Sequence, residues 1–276
     1  MIKDKILNKI KSIRDSHAYI HHYALNQSLP ESVYFYTFHK CASTLFSSYV
    51  LKSVTGLYHM DYAAQIYSGR RSSEKKLSFK KNGFIYGPIR ISAGVQGPVG
   101  ERLVKPTTKH NFIRDKIAIF FIRDPRDILI SSYYSFGFTH GLSGVDAIRE
   151  RQLAAGRSIR EMTLDEYVLD SVDEQIDYFR ILYDLSRTCE RSSVLRYEDM
   201  INDFDRFSEQ LSKYVSLDAA TIQELYQRSR PQKTEDTKSH RRSGQVGGFR
   251  EKLEESTIKA VNKKLADTLS LFEYNA

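Results

Sequence analysis

The chain has 276 residues, a formal charge of +8 and only two cysteines, Cys41 and Cys189. The length suits one large domain with a full core, and an aromatic-rich composition with few glycines and prolines excludes a disordered chain. Two cysteines cannot assemble a zinc set and point to a reducing, cytoplasmic setting.

The excess of positive charge favours an anionic partner: nucleic acid, an acidic membrane surface or a multiply phosphorylated small molecule. The basic residues are scattered among acidic ones, which counts against nucleic acid. No segment is long and apolar enough to span a bilayer. Near the N-terminus, Ile2, Ile6, Ile10 and Ile13 share one helical face. The stripe predicts a helix that packs on its own domain rather than a membrane anchor.

Val33 to Phe38 is rich in β-branched and aromatic residues and predicts a buried strand. The chain then turns through His39, Lys40, Cys41 and Ala42. From Ser43 it runs on with Leu45, Phe46, Tyr49 and Val50 at helical spacing. Strand, tight loop, helix aims free backbone N–H groups at an anion. Lys40 adds a cation to that loop, and Ser43 and Thr44 add hydroxyls. The pattern Gly-x-x-x-x-Gly-Lys-Ser/Thr of nucleotide triphosphatases is absent.

Gly56 to Gly69 holds His59 and Asp61, and Arg70 to Lys81 reads as a surface loop. Phe84 to Tyr86 predicts a second short strand, ended by Gly87-Pro88. Ser92 to Asn111 reads as a long loop. Lys116 to Ile122 is a continuous apolar run, as expected of a strand buried on both faces of a parallel sheet. A helix follows, with Asp124 as its cap and Pro125 at its first position. Gly137 to Arg160 reads as a polar excursion. Thr163 to Glu166 is a capping box that opens a long amphipathic helix. Ser193 to Tyr197 predicts a strand. Glu198 to Val215 and Asp218 to Arg228 predict helices, and Arg230 to Arg250 turns polar and basic. Glu254 to Leu271 closes the chain as a helix. Alternating strands and helices predict an α/β fold with a mostly parallel central sheet flanked by helices. Ligands of such sheets bind beyond the carboxyl ends of the strands, where Lys40, Arg123 and Tyr197 all stand.

Four segments, spread from about Val33 to Arg250, resemble the cofactor-binding segments of sulfotransferases that use 3′-phosphoadenosine 5′-phosphosulfate (PAPS). FHKCASTL is similar to the family's 5′-phosphosulfate loop. The resemblance implies that Lys40 holds the bridging oxygen and sulfuryl group, and that Ser43 and Thr44, with backbone amides at Cys41 and Ala42, hold the 5′-phosphate. Ala42 stands where the family often has glycine. IRDPRDILISSYYSF is similar to the 3′-phosphate segment and assigns Arg123 and Ser131 to that group; a planar guanidinium suits it. LRYEDM places Tyr197 beside the adenine. RRSGQVGGFR implies that Arg242, Ser243 and Gly244 close over the 3′-phosphate. The family has a P-loop NTPase-like sulfotransferase fold, so the whole of 1–276 is expected to be one such domain. Residues 1–30 are expected to form an N-terminal helical extension, and 230–250 a loop covering the cofactor.

One departure matters. Cytosolic members carry a histidine base on the second strand, and Phe84 to Pro88 has none. Some bacterial members carry a carboxylate after the first helix, and Asp61 resembles it, with His59 close by. His140 and Glu101 also stand in the long loops. The expected enzyme moves a sulfuryl group from PAPS, leaving 3′-phosphoadenosine 5′-phosphate (PAP), to a hydroxyl or nitrogen of a small-molecule acceptor, without a metal and without a nucleic-acid or membrane partner. The suggested acceptor is a secondary metabolite such as a saxitoxin-type guanidinium toxin. A glycan or glycolipid, a P-loop kinase-like phosphotransferase and a silent binding protein of the same fold are the alternatives.

Overall fold

The computed structural model describes residues 29–72, 76–91, 99–232 and 244–275. The expected N-terminal helix, Arg242, Ser243 and most of the 230–250 segment lie outside them.

Five parallel strands make one sheet in the order β2-β3-β1-β4-β5. β1 (Val33–Thr37) lies between β3 (Phe84–Arg90) and β4 (Ile117–Ile122). The edges are β2 (Tyr58–Met60) and β5 (Arg191–Arg196). β1 is buried at every residue, and β4 at all but its first. That is why both read as near-continuous apolar runs rather than alternating ones.

β1 leads through the Lys40 loop into α1 (Ser43–Ser48). Phe46 on α1 stacks on Phe35 with centroids 4.6 Å apart and meets Phe121 at 4.7 Å. Burying one such ring contributes about 1.5–3 kcal/mol, so this cluster fixes the helix, and the loop before it, onto the sheet. α1 is shorter than the apolar spacing predicts. Tyr49 leaves helical geometry at φ −130°, and the chain continues as a 3-10 turn, Val50–Lys52. On the other face, Phe38 stacks on Phe179 of the long helix α5 (Leu164–Thr188) at 4.5 Å. The Thr163–Glu166 capping box at the start of α5 is present.

The structure departs from expectation in further places. Gly87-Pro88 does not end β3: the strand runs on to Arg90, paired with Thr37 of β1. Gly87 is required there, because a Cβ would lie 2.6 Å from the Phe35 carbonyl oxygen. The polar excursion after Gly137 contains a helix, α4 (Asp146–Arg160), in which only Gly156 is buried. So little buried surface leaves no apolar stripe to read. Finally, short helical turns at Gly100–Val104, Lys105–Thr107 and His110–Ile113 replace the described part of the long loop.

The helix after β4 is α3 (Pro125–Tyr134), capped by Asp124, whose side chain accepts from the Arg126 amide. The helix expected from Glu198 breaks into α6 (Tyr197–Asn202) and α7 (Phe204–Ser212), and Asp203 caps the second. α8 (Ala219–Ser229) and α9 (Glu255–Leu271) complete the described chain. Arg126, buried, pairs with both oxygens of Asp124 and donates to Asn262 Oδ1 and the Asn275 carbonyl. A planar fork with several fixed acceptors ties α9 to the start of α3.

Candidate active site

At the carboxyl edge of the sheet lies a cleft of about 910 Å³. The loops after β1, β4 and β5 bring Lys40, Arg123 and Tyr197 into its wall, and Ala42, Ser43, Thr44, Ser131 and Gly244 line it too. Four formal cations face it: Lys40, Arg90, Arg123 and Arg228; among the described residues no carboxylate does. A one-signed, partly enclosed surface of this kind concentrates anions.

The loop after β1 is bent to an unusual shape. Lys40 and Ala42 both have left-handed backbones, φ 65° and 48°. For residues with a Cβ this costs about 1–2 kcal/mol each, and such strain gathers at functional sites. Backbone turning of this kind collects successive N–H groups into an anion-binding concavity. Ala42 is the N-cap of α1, and no side chain caps the helix or places a negative charge in its first turn. A helix start without a capping side chain or a first-turn carboxylate suits an exogenous anion. Cys41 faces away: it is fully buried, and burial pushes its thiol up to about 12, so it contributes only its backbone. Lys40 Nζ donates to Ser135 Oγ at 2.7 Å.

Arg123 organises the other end. Its guanidinium lies 4.5 Å from the centre of the Tyr197 ring and donates to the Lys40 carbonyl at 3.2 Å and the Gln245 carbonyl at 2.9 Å. Asp127 is 3.6 Å away. Burial opposes the charge on Arg123, and Asp127, followed by Tyr197, holds it protonated. Its Nε is buried without a hydrogen-bond partner, which leaves donor capacity for a ligand. Tyr197 does more than offer a ring face, because its hydroxyl donates to the Gly244 carbonyl at 2.6 Å.

Asp127 is a residue to which the sequence assigned no role. Its carboxylate accepts from the Gly247 amide at 2.8 Å and the Phe249 amide at 3.2 Å. It thereby straps the C-terminal segment across Arg123. Burial raises its pKa and Arg123 pulls the other way. The signal available was a second acidic residue, one turn after Arg123, in a motif otherwise explained by helix capping.

Asp61 and His59 stand elsewhere. Neither lines the cleft. Asp61 is buried and caps α2 (Tyr62–Tyr67): Oδ1 accepts from the Ala64 amide at 2.8 Å and Oδ2 from Ser47 Oγ at 2.7 Å. Its oxygens are committed to structure, and this replaces the expectation of a base there. His59 Nε2 is 2.8 Å from the Gly87 carbonyl, and burial lowers its pKa. Glu101 is exposed and pairs with Lys105.

The imidazoles that do line the cleft are His39 and His140. Their ring centres are 6.3 Å apart. Burial, then the charges of Arg90, His140 and Lys40, holds His39 well below the ordinary histidine range. The His140 amide donates to the Ser135 carbonyl at 2.7 Å, so one serine positions both Lys40 and His140. The segment after His140 is fastened to α2 by Ser143 Oγ and the Gly144 amide, which both donate to the Tyr67 carbonyl at 2.7 and 3.1 Å. Arg90, Tyr67 and Arg228 are among the lining residues that sequence reasoning missed. Reading Gly87-Pro88 as a stop hid the strand end on which Arg90 stands.

No family model matches the sequence, and no curated protein matches it. Solved structures do. The chain is similar to a mouse sulfotransferase crystallised with PAP, at 10% identity and a TM-score of 0.53, over 88% of this chain and 89% of that one. It is also similar to a retinol dehydratase crystallised with androsterone and the inactive cofactor PAP, at 14% identity and 0.52, over 88% and 81%. The fold is therefore the sulfotransferase fold.

Proposed function

We propose that the protein is a PAPS-dependent sulfotransferase. The observation that carries this reading is the cleft itself. In a sulfotransferase fold, at the carboxyl edge of a parallel sheet, it sets a strained lysine-bearing loop beside a strapped arginine, with no carboxylate among its described lining residues. Two anionic centres fit these two ends. Lys40, Ser43, Thr44 and the amides of the loop hold the 5′ group, and Arg123 and Ser131 hold the 3′-phosphate. Tyr197 and Gly244 complete that end.

PAPS supplies the sulfuryl group when bound. Lys40 stabilises the negative charge that grows on the departing phosphate oxygen, an electrostatic role in a partly enclosed site. The acceptor proton goes to His140. Of the two imidazoles in the cleft, His39 is ill suited to take that proton, because its protonated form is disfavoured by burial first and then by the charge of Arg90. The acceptor is a hydroxyl or amine of a small molecule. A saxitoxin-type guanidinium acceptor finds no carboxylate among the described residues of the cleft to meet its charge; a glycan or glycolipid is the alternative. No helix among the described residues is long and apolar enough to cross a membrane.

The test is calorimetry with PAP, then transfer from PAPS to a panel of hydroxyl and amine acceptors. Lys40→Ala should abolish transfer in a folded protein. His140→Ala should lower the maximal rate by about a hundredfold to ten-thousandfold. Absence of PAP binding, or turnover of a nucleoside triphosphate instead, overturns the assignment.

A further inference from the structure

A grip on a 3′-phosphate depends on where Arg123 and Tyr197 stand. Next to both lies a buried polar cluster that the chemistry leaves unused. It is built from Asp124, Arg126, Glu198 and Tyr274, none of which lines the cleft. Glu198 is at its centre. Its Oε1 accepts from the Asp124 amide at 2.9 Å, and its Oε2 accepts from the Tyr274 hydroxyl at 3.0 Å. That amide belongs to the peptide bond leaving Arg123, and Glu198 itself follows Tyr197 in the chain. One carboxylate therefore ties the turn after β4 to the turn after β5. It stands at the N-terminal ends of both α3 and α6, which favours its charge against the burial that raises its pKa.

The segment that follows α9 completes the cluster. Glu273 has a left-handed backbone, φ 57°, and the Tyr274 amide donates back to the Leu269 carbonyl at 2.8 Å, so the chain turns at the helix end. Phe272 packs that turn on α5, its ring centre 5.3 Å from that of Phe179. Tyr274 is buried beside Arg196, whose guanidinium lies 4.2 Å from the ring centre and donates to the Glu273 carbonyl at 3.2 Å. The Asn275 carbonyl accepts from the buried Arg126, which also holds both oxygens of Asp124. Two consecutive residues thus reach the Arg123–Asp124 turn by separate routes, Tyr274 through Glu198 and Asn275 through Arg126. A buried polar network whose members are satisfied is rigid and specifies one arrangement.

We infer that Glu198 and Tyr274 are positioning residues for the 3′-phosphate: they fix the peptide after Arg123, and with it the guanidinium, against the Tyr197 ring. Neither touches the cofactor. This rests on the sulfotransferase reading and adds to it two residues outside the cleft. The guanidinium lies 4.5 Å from the Tyr197 ring centre, and Glu198 sets the spacing of the two backbones that carry the pair. A guanidinium grips a phosphate by parallel hydrogen bonds of fixed geometry, so a change in that spacing weakens the grip without removing any group from the cleft.

Calorimetry on the whole protein compares PAP with adenosine 5′-phosphate, and urea unfolding is run on the same samples. Wild type should prefer PAP by at least about tenfold. No preference ends the sulfotransferase reading and this inference with it, and wild type alone shows it. Glu198→Ala should cut the preference by about tenfold. Glu198→Gln still accepts from the Asp124 amide and meets the Tyr274 hydroxyl, and should stay within about threefold of wild type. Tyr274→Phe should cut the preference by about threefold. The double variant Glu198→Ala, Tyr274→Phe should fall no further than Glu198→Ala, because both changes act through one contact. If Glu198→Ala does not fold, Tyr274→Phe decides by the same measure. Folded variants that lose stability yet keep the wild-type preference overturn the proposal, since Glu198 and Tyr274 would then be struts only. A Glu198→Gln protein that loses the preference as fully as Glu198→Ala also overturns it, since charge rather than positioning would then be at work.

Discussion

Replacing Arg123 by glutamine separates binding from folding. If Arg123 grips the 3′-phosphate, wild type should prefer PAP to adenosine 5′-phosphate, and Arg123→Gln should lose that preference. Each charge-assisted bond is worth about 1.5–3 kcal/mol, or roughly tenfold to a hundredfold in affinity. The same change also strands Asp127. That carboxylate is buried, its pKa is already raised by burial, and Arg123, 3.6 Å away, is the cation that opposes the shift. Breaking a buried pair costs about 3–5 kcal/mol. Here the figure falls to about 2 kcal/mol, because the pair is long and because the Gly247 and Phe249 amides still donate to Asp127.

The pH dependence has a definite sign. A carboxylate whose native pKa lies above its unfolded value of about 3.9 holds its proton better in the native state. Stability is then lost as pH rises through the native value. Losing Arg123 raises that value further, so Arg123→Gln should be more destabilised at pH 8 than at pH 5, by urea unfolding. Asp127→Asn added to it should restore stability and flatten the pH response without restoring the preference for PAP. If Asp127→Asn recovers the preference, or if Arg123→Gln never loses it, Arg123 is a structural strut and the assignment of the 3′-phosphate is wrong.

Three further outcomes follow from single residues. Ala42→Gly relieves a left-handed Cβ at φ 48° and should stabilise the protein by about 0.5–1 kcal/mol after the entropy of glycine is deducted, measured by urea denaturation; destabilisation would mean that the turn is not strained. Asp61→Ala removes the cap of α2 and should cost about 1–2 kcal/mol, while the maximal rate at saturating acceptor stays within a few-fold; a collapse of that rate in a folded variant would return Asp61 to the chemistry. The lowered pKa of His39 means that the unfolded chain takes up a proton below about pH 6.5 that the native state refuses, so its contribution to stability is present above that pH and is lost as pH falls. His39→Gln should therefore flatten the decline in melting temperature between pH 7 and pH 5, and an unchanged slope would refute the cause.

Local pattern determined a good deal of this protein. The apolar runs of β1 and β4, the Asp124 cap and the Thr163–Glu166 box are set by residues within a few positions of one another, and each appears where the pattern puts it. Parallel strands must place the turns after them on one edge, so Lys40, Arg123 and Tyr197 could be grouped before any coordinates. Asp61 shows the limit. A carboxylate after a helix reads the same whether it faces a substrate or caps the next helix, and Ser47 and the Ala64 amide decide it. Arg90 shows it again: β3 continues through Gly87-Pro88 because β1 pairs with it on the far side, a contact between residues some fifty positions apart. The pairing of Asp127 with Gly247 and Phe249 spans more than a hundred residues. Charge neutralisation, capping partners and strand continuation across a break are set by what packs alongside. Only the tertiary structure supplies those neighbours.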